Sequence, residues 1–513
     1  MANRKRKRSH NSIPRLVFVG ISVLFQIGWI LLLVLALNQH SAWISLLTSI
    51  LSLTVVLRLY SKHTTSAMKM PWIMLIMAFP IMGLSLFLLI EAFSDLGRTY
   101  KRLRKIRTHT ERALAQDPQS LSGLEAADPM AANQSRYLWN HAHSPVYRNT
   151  GVTYYGEAVD AFNAMKSALE QAESFIFMEY FIIEDSSSFE ELRQILLRKA
   201  TQGVDVRLMY DDIGSIGYVN LAFARKLNSA GIQCRVFNPA IPIVNLFMNH
   251  RDHRKITVID GKVGFTGGYN LADEYFGRTK PYGHWKDTGL KLEGEAVRSL
   301  TAMFLEMWNV TGKQQEDCSQ FLNVTHSLPD ASGFVQPYDD DPLGTERIAE
   351  NAYLNLITSA KKSVYFITPY LIITDEMGHS LELAAKRGVD VRIVTPGIPD
   401  KKTVYAVTRS YYADLVSQGV RIYEYTPGFC HAKMCICDGQ VASVGTSNLD
   451  YRSLYHHFEN NVLLYGCAAV EDIAKDFEEI FSQSREVTEQ YRQGRSAALR
   501  IWQCILRLFA PLM

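Results

Sequence analysis

Residues His253 to Gly261 (HRKITVIDG) and His431 to Gly439 (HAKMCICDG) are two copies of one pattern, His-x-Lys-x4-Asp-Gly. The His, Lys and Asp recur at a common offset of 178 residues (431 minus 253), and Gly267 and Asn270 recur at that offset as Gly445 and Asn448. An internal repeat of this kind means a duplicated structural unit, and nothing else in the chain constrains its fold as strongly. The flanking sequence repeats too. QAESFIFMEYFIIED ends at Asp185 and KKSVYFITPYLIITD at Asp375, both runs of β-branched and aromatic residues. Each is followed by a helical pattern closed by Gly, then by GVDVRLMY from Gly203 or GVDVRIVT from Gly388. GIQCRVF from Gly231 and GVRIYEY from Gly419 supply one further strand each. Strands alternating with helices predict an α/β fold: two domains about a pseudo-two-fold axis, with sheets of substantial parallel character.

The repeated residues carry chemistry. On a strand, His and Lys two apart share a face. The Asp-Gly that ends each run is a tight-turn signal, so each unit presents an imidazole and an ammonium on a hairpin. One such pair would be ordinary. Two pairs gathered by pseudo-symmetry place His253, Lys255, Asn270, His431, Lys433 and Asn448 at one interface. Two cations and two amides suit a phosphate, and two histidines suit a nucleophile and a general acid. A metal is not expected, because lysine is a poor ligand and no carboxylate stands at ligand spacing beside either His. Asp260 and Asp438 belong to the motif yet sit at its turn, where a framework role competes with a catalytic one.

Residues 1–95 differ from the rest of the 513-residue chain. Leu16–Leu37 has no charge over 22 residues, long enough for a hydrocarbon core of ~30 Å at ~1.5 Å per residue. Two further apolar runs, Ala42–Leu57 and Trp72–Ile90, follow, the latter interrupted by Pro80 and Gly83. These read as an N-terminal helical membrane region of a multi-pass protein, with Leu16–Leu37 an uncleaved anchor rather than a signal peptide. Lys and Arg cluster at Arg4–Arg15 and again at Arg98–Arg112. Keeping both clusters inside requires two crossings plus one re-entrant or surface segment, with the C-terminal bulk in the cytoplasm. The second cluster is placed to meet anionic headgroups. A net charge of +3 gives no ground for a nucleic-acid partner, and the seven scattered Cys read as free thiols.

The duplicated motif, with GGYN and GTSN downstream, resembles the phospholipase D superfamily from about Tyr137 to Gln490. NHRDHRKITVIDGKVGFTGGYNLADEYFG followed by HWKDTGLKLEG is similar to bacterial cardiolipin synthases, as is a membrane region ahead of the repeat. The resemblance implies a metal-independent phosphatidyltransferase without cofactor that joins two phosphatidylglycerols into cardiolipin and releases glycerol. It implies a phosphohistidine at His253 and acid–base work at His431, with the reverse assignment open by symmetry. Lys255, Lys433, Asn270 and Asn448 would hold the phosphate oxygens, with Asp260 and Asp438 completing the motif. The family also places a histidine-orienting acid some thirty residues downstream, which points to Asp287, 34 beyond His253, and Glu459, 28 beyond His431. A hydrolase, or a transferase using another acceptor alcohol, shares the same first half-reaction.

The expected organisation is a membrane region at 1–95, a basic juxtamembrane segment and linker at 96–136, phospholipase D-like domains at 137–325 and 326–490, and a C-terminal amphipathic segment at 491–513. Ala113–Ser135 reads as a loose lead-in. Pro239–His250 is apolar and would line a lipid channel or pack as a loop. Arg495–Met513 reads as a basic amphipathic helix, lying on a membrane or docked on the second domain. The partners expected are phospholipids and the membrane, with no obligate protein partner.

Overall fold

The computed structural model describes residues 42–512 and, before them, Leu24 and Gly28; residues 63, 94–95, 221, 240–249, 327–330, 493–496 and 509 fall outside the described set. Most of Leu16–Leu37, the Arg4–Arg15 cluster and nearly all of the Pro239–His250 loop therefore also fall outside it.

Two mixed sheets carry the repeat. The first runs Thr150–Tyr155, Gly289–Gly294, Val263–Gly267, Lys255–Ile259, Phe175–Tyr180, Asp205–Asp211, Gln233–Phe237. The second runs Phe334–Asp340, His457–Tyr465, Val441–Gly445, Met434–Cys437, Ser363–Ile367, Asp390–Pro396, Arg421–Tyr425, with Ser484–Glu486 at its edge. Position by position the two orders correspond, and the motif strand is central in both. The last three strands of each seven pair in parallel, through helical crossovers, whereas the motif hairpin pairs antiparallel.

Alternation along the motif strands sorts their side chains. Ile256 and Val258 of one sheet and Met434 and Ile436 of the other face a single apolar core shared by both units, with Phe304, Trp308 and Phe477 from flanking helices. Cys435 and Cys437 turn to a second core behind the second sheet. The units therefore meet through a continuous interior. All seven cysteines are free thiols.

The stretch read as a loose lead-in is two docked helices, Pro118–Ala127 and Pro129–Ala142. Asp117 and Asp128 cap them, each with Pro in the first turn. Their Leu124, Ala131, Ala132 and Leu138 are buried in the second unit's outer core. Small residues suggested looseness, but here they let the helices approach closely.

The basic segment is the helix Leu96–Ala113, and one face of it is not given to lipid. Leu103, Ile106 and Thr110 are buried, and Arg107 pairs with Glu306, Asp339 and Asp341. Upstream, Trp72–Ile90 is not one helix. It breaks at Phe79–Pro80 into Ser66–Ala78 and Pro80–Phe93, because Pro80 has no N–H to continue the ladder. Among the described residues no helix is long and apolar enough to cross a membrane, so the described helices do not carry the multi-pass arrangement expected from the sequence. The C-terminal helix Ala497–Leu508 docks on Lys402–Ser417. Leu506 is buried and Arg507 pairs with Asp414 at 2.7 Å, while Ile501, Trp502 and Ile505 remain exposed.

Candidate active site

Each motif histidine enters its strand from an extended lead-in that the other unit holds. Arg251–Asp252 pairs in parallel with the start of His457–Tyr465, and Gly428–Cys430 with His284–Lys286. As a result His253 N donates to Phe458 O at 2.9 Å, and His431 N donates to Lys286 O at 2.7 Å. The side chains repeat this exchange. His253 Nδ1 lies 2.9 Å from both carboxylate oxygens of Glu459, and His431 Nδ1 lies 2.7 Å from Asp287 Oδ2. Spacing along the chain had suggested an acid within each histidine's own unit; the fold crosses the partners over. The reason is local, because the strand bearing each acid pairs with the lead-in of the opposite motif.

All four groups are buried. Aromatic rings wall both imidazoles: Phe181 and His457 lie 4.9 and 5.3 Å from His253, and Tyr275 and Trp285 lie 5.3 and 5.5 Å from His431. Burial, reinforced by the nearby lysines, holds His253 well below the usual histidine range and His431 at about 4. Both are therefore neutral at pH 7. With Nδ1–H donated to Glu459, His253 keeps a free lone pair on Nε2, the form a nucleophile needs. Burial drives the Glu459 carboxyl in the opposite direction, well above the ordinary range.

Lys255 and Lys433 fold back on the carbonyls of His253 and His431, and Lys433 Nζ is also 2.8 Å from His431 Nδ1. Burial lowers the two ammoniums to about 7 and about 8. Two buried ammoniums beside the two histidines make an anion site, and an arriving phosphodiester would raise them again toward the charged form.

The remaining expected residues divide. Asn270 accepts from Ile182 N at 3.1 Å and donates to Tyr275 Oη at 2.8 Å, which ties it to the wall of His431. Asn448 is buried, and its Oδ1 has no hydrogen-bond partner among the described residues. Asp260 and Asp438, counted with the catalytic set, are at the far end of the motif strand, roughly 17 Å on for five residues. Both take left-handed φ, 54° and 52°, ahead of Gly261 and Gly439. Their carboxylates accept the N–H groups of Glu173, Ser174 and Phe175 and of Lys361, Lys362 and Ser363. That is framework, remote from the histidines.

Sequence reasoning missed three contributors. Thr446 Oγ1 donates to Glu459, Asn460 joins the units through Thr266 Oγ1 at 2.8 Å, and His457 Nδ1 stands 3.6 Å from Glu459 Oε1, beyond hydrogen-bond reach. The GTSN context could have exposed Thr446; the others are visible only once the strands are paired.

Known proteins resemble this chain in sequence and in fold. The family model described as "Cardiolipin synthase, PLD-like domain" matches residues 165–308 and 353–481. Cardiolipin synthase of Halalkalibacterium halodurans is 33% identical over 472 residues, 90% of this chain and 91% of that protein. Cardiolipin synthase of Geobacillus kaustophilus is 34% identical over 478 residues, 91% and 93% of the two chains. Among solved structures, phosphatidylserine synthase of Haemophilus influenzae aligns with a TM-score of 0.54 at 15% identity, covering 74% of this chain and 98% of that one, a likeness of fold.

Proposed function

The chain belongs to the cardiolipin synthase family of phospholipase D-like proteins, and on that premise we propose that it is a phosphatidyltransferase making cardiolipin and glycerol from two phosphatidylglycerols. The observation that carries the reading is the reciprocal site: two neutral, carboxylate-oriented histidines between two buried lysines. Lys255 and Lys433 receive the phosphodiester, with Asn270 and Asn448 beside them. His253 Nε2 attacks phosphorus as the glycerol oxygen departs, and His431 supplies the proton to that oxygen. The phosphatidyl group then rests on His253. His431, now neutral, takes the proton from the hydroxyl of a second phosphatidylglycerol, whose oxygen displaces His253. The anionic substrate is what raises His431 from its depressed value so that it can act as the acid.

Membrane attachment belongs to the same proposal. Leu47, Ile50 and Met77 on the N-terminal helices, and Ile501 and Trp502 at the C-terminus, expose large apolar side chains. The Arg98–Arg112 cluster leaves Lys101 and Arg104 facing outward, suited to anionic headgroups of a cytoplasmic leaflet. Lipid supplied from the bilayer also competes with water for the covalent intermediate.

The test is product analysis. Purified enzyme with labelled phosphatidylglycerol in excess yields cardiolipin and glycerol in equal amounts on this account. Phosphatidic acid as the sole lipid product would make it a hydrolase instead.

A further inference from the structure

Three metal-ligating side chains converge beside the proposed nucleophile. The donor atoms of His253, His457 and Glu459 all lie within 4.8 Å of one another, and all three residues are buried. His253 Nδ1 and His457 Nδ1 point at the same oxygen, Glu459 Oε1, at 2.9 and 3.6 Å. Zinc bonds of ~2.0–2.1 Å at tetrahedral angles place ligand atoms a little over 3 Å apart, so little movement is needed. Independently, His457 Nδ1 is buried without a hydrogen-bond partner among the described residues. The mirror position in the first unit is Trp285, beside His431, which ligates nothing. The repeat therefore offers a second imidazole on the His253 side and not on the His431 side.

We propose that His253, His457 and Glu459 form an inhibitory site for Zn²⁺ or a similar borderline transition metal. It rests on His253 being the nucleophile of the proposed function. The proton balance gives the mechanism. A metal on Nδ1 of His253 displaces the proton now donated to Glu459, and the neutral imidazole carries its proton on Nε2 instead. The lone pair that would attack phosphorus is then gone. His457 undergoes the same tautomer change, which opens its long contact of 3.4 Å from Arg452 Nε to His457 Nε2. Lys255 and Lys433 lie close to the site and oppose a cation, and the Glu459 carboxylate held among the three donors is the charge that offsets them. Sequence spacing argued against a metal because no carboxylate stood near either histidine; the crossover of units supplies it.

Two measurements on the full-length protein test the site. The first is Co²⁺ binding without lipid, read by its visible absorption and its stoichiometry. The account expects one ion per chain, a spectrum without thiolate charge transfer, and loss of that ion in both His457→Asn and Glu459→Gln. The second is turnover of phosphatidylglycerol with and without ZnCl₂, each variant compared with itself. Wild type is expected to be inhibited, and the half-inhibiting concentration to rise by at least about tenfold in His457→Asn. Absence of bound Co²⁺ in wild type, or undiminished binding in His457→Asn, overturns the site whatever reaction the enzyme performs. Binding at the site with turnover unaffected by zinc overturns the inhibitory role.

Discussion

Lys255 and Lys433 determine how the site meets its substrate. In the empty site burial lowers them to about 7 and about 8, so a share of the enzyme has lost one or both charges just above neutrality. The sign follows directly: raising pH deprotonates them and weakens the anion site. The account predicts that kcat/KM, which reports the free enzyme, falls on the alkaline side from about pH 7–8, by up to about tenfold per unit for each group. Lys255→Arg keeps its charge and should move that limb up by at least about one pH unit. A pH profile of both enzymes decides it, and coincident limbs would assign the ionisation elsewhere. The carboxylates make a second prediction. Glu459→Gln and Asp287→Asn preserve shape but no longer hold the tautomer, and each should lower kcat about a thousandfold or more. The motif residues were legible because duplication marks them, and the resemblance named both acids. Which acid serves which histidine was not legible, since pairing across units leaves no trace in spacing.

At the scale of elements, the motif hairpin is a construction of turn and framework. Asp260 sits at φ 54° and binds three backbone N–H groups of the neighbouring strand's lead-in. Asp260→Ala removes those acceptors and strains the turn, for a loss of about 2 kcal/mol, whereas the folded enzyme keeps turnover within about tenfold. Denaturant melts beside specific activity test both halves; an inactive but fully stable variant would return Asp260 to the chemistry. The C-terminal helix offers a complementary case. Its inner face is held by Leu506 and Arg507, and its outer face exposes Ile501 at 63% and Trp502 at 55%. Changing both to Glu should leave the melt unaltered and weaken co-sedimentation with anionic vesicles by about tenfold or more. Unchanged sedimentation would remove this face from the membrane account. Of the two readings of this helix drawn from sequence, the structure shows the docked one, and the stripe it still presents outward leaves the membrane reading to that sedimentation test.

For the whole molecule, the site exists only because two units share one interior, and the helix that follows the N-terminal region is tied into it. Arg107 and Arg254 both bind Asp339, the latter at 3.0 Å, and Arg254 stands between His253 and Lys255. Arg107→Ala strands the buried Glu306 and loosens Asp339, at a cost of about 3 kcal/mol. Thermal melts and kcat should fall together, and a stable, fully active variant would sever the helix from the site. Sequence showed the repeat and hence the paired sheets. It did not show that residues 96–142 belong to the folded body, because the Asp-Pro caps at 117–118 and 128–129 were outweighed by small, polar composition. The central claim is that one composite site makes a covalent intermediate on His253, oriented by the other unit's Glu459. Rapid quenching of the enzyme with phosphatidylglycerol, digestion and mass spectrometry tests it most directly. The account predicts a phosphatidyl adduct on the peptide containing His253, absent from Glu459→Gln; an adduct on His431 alone, or steady cardiolipin formation with no adduct at either residue, would contradict it.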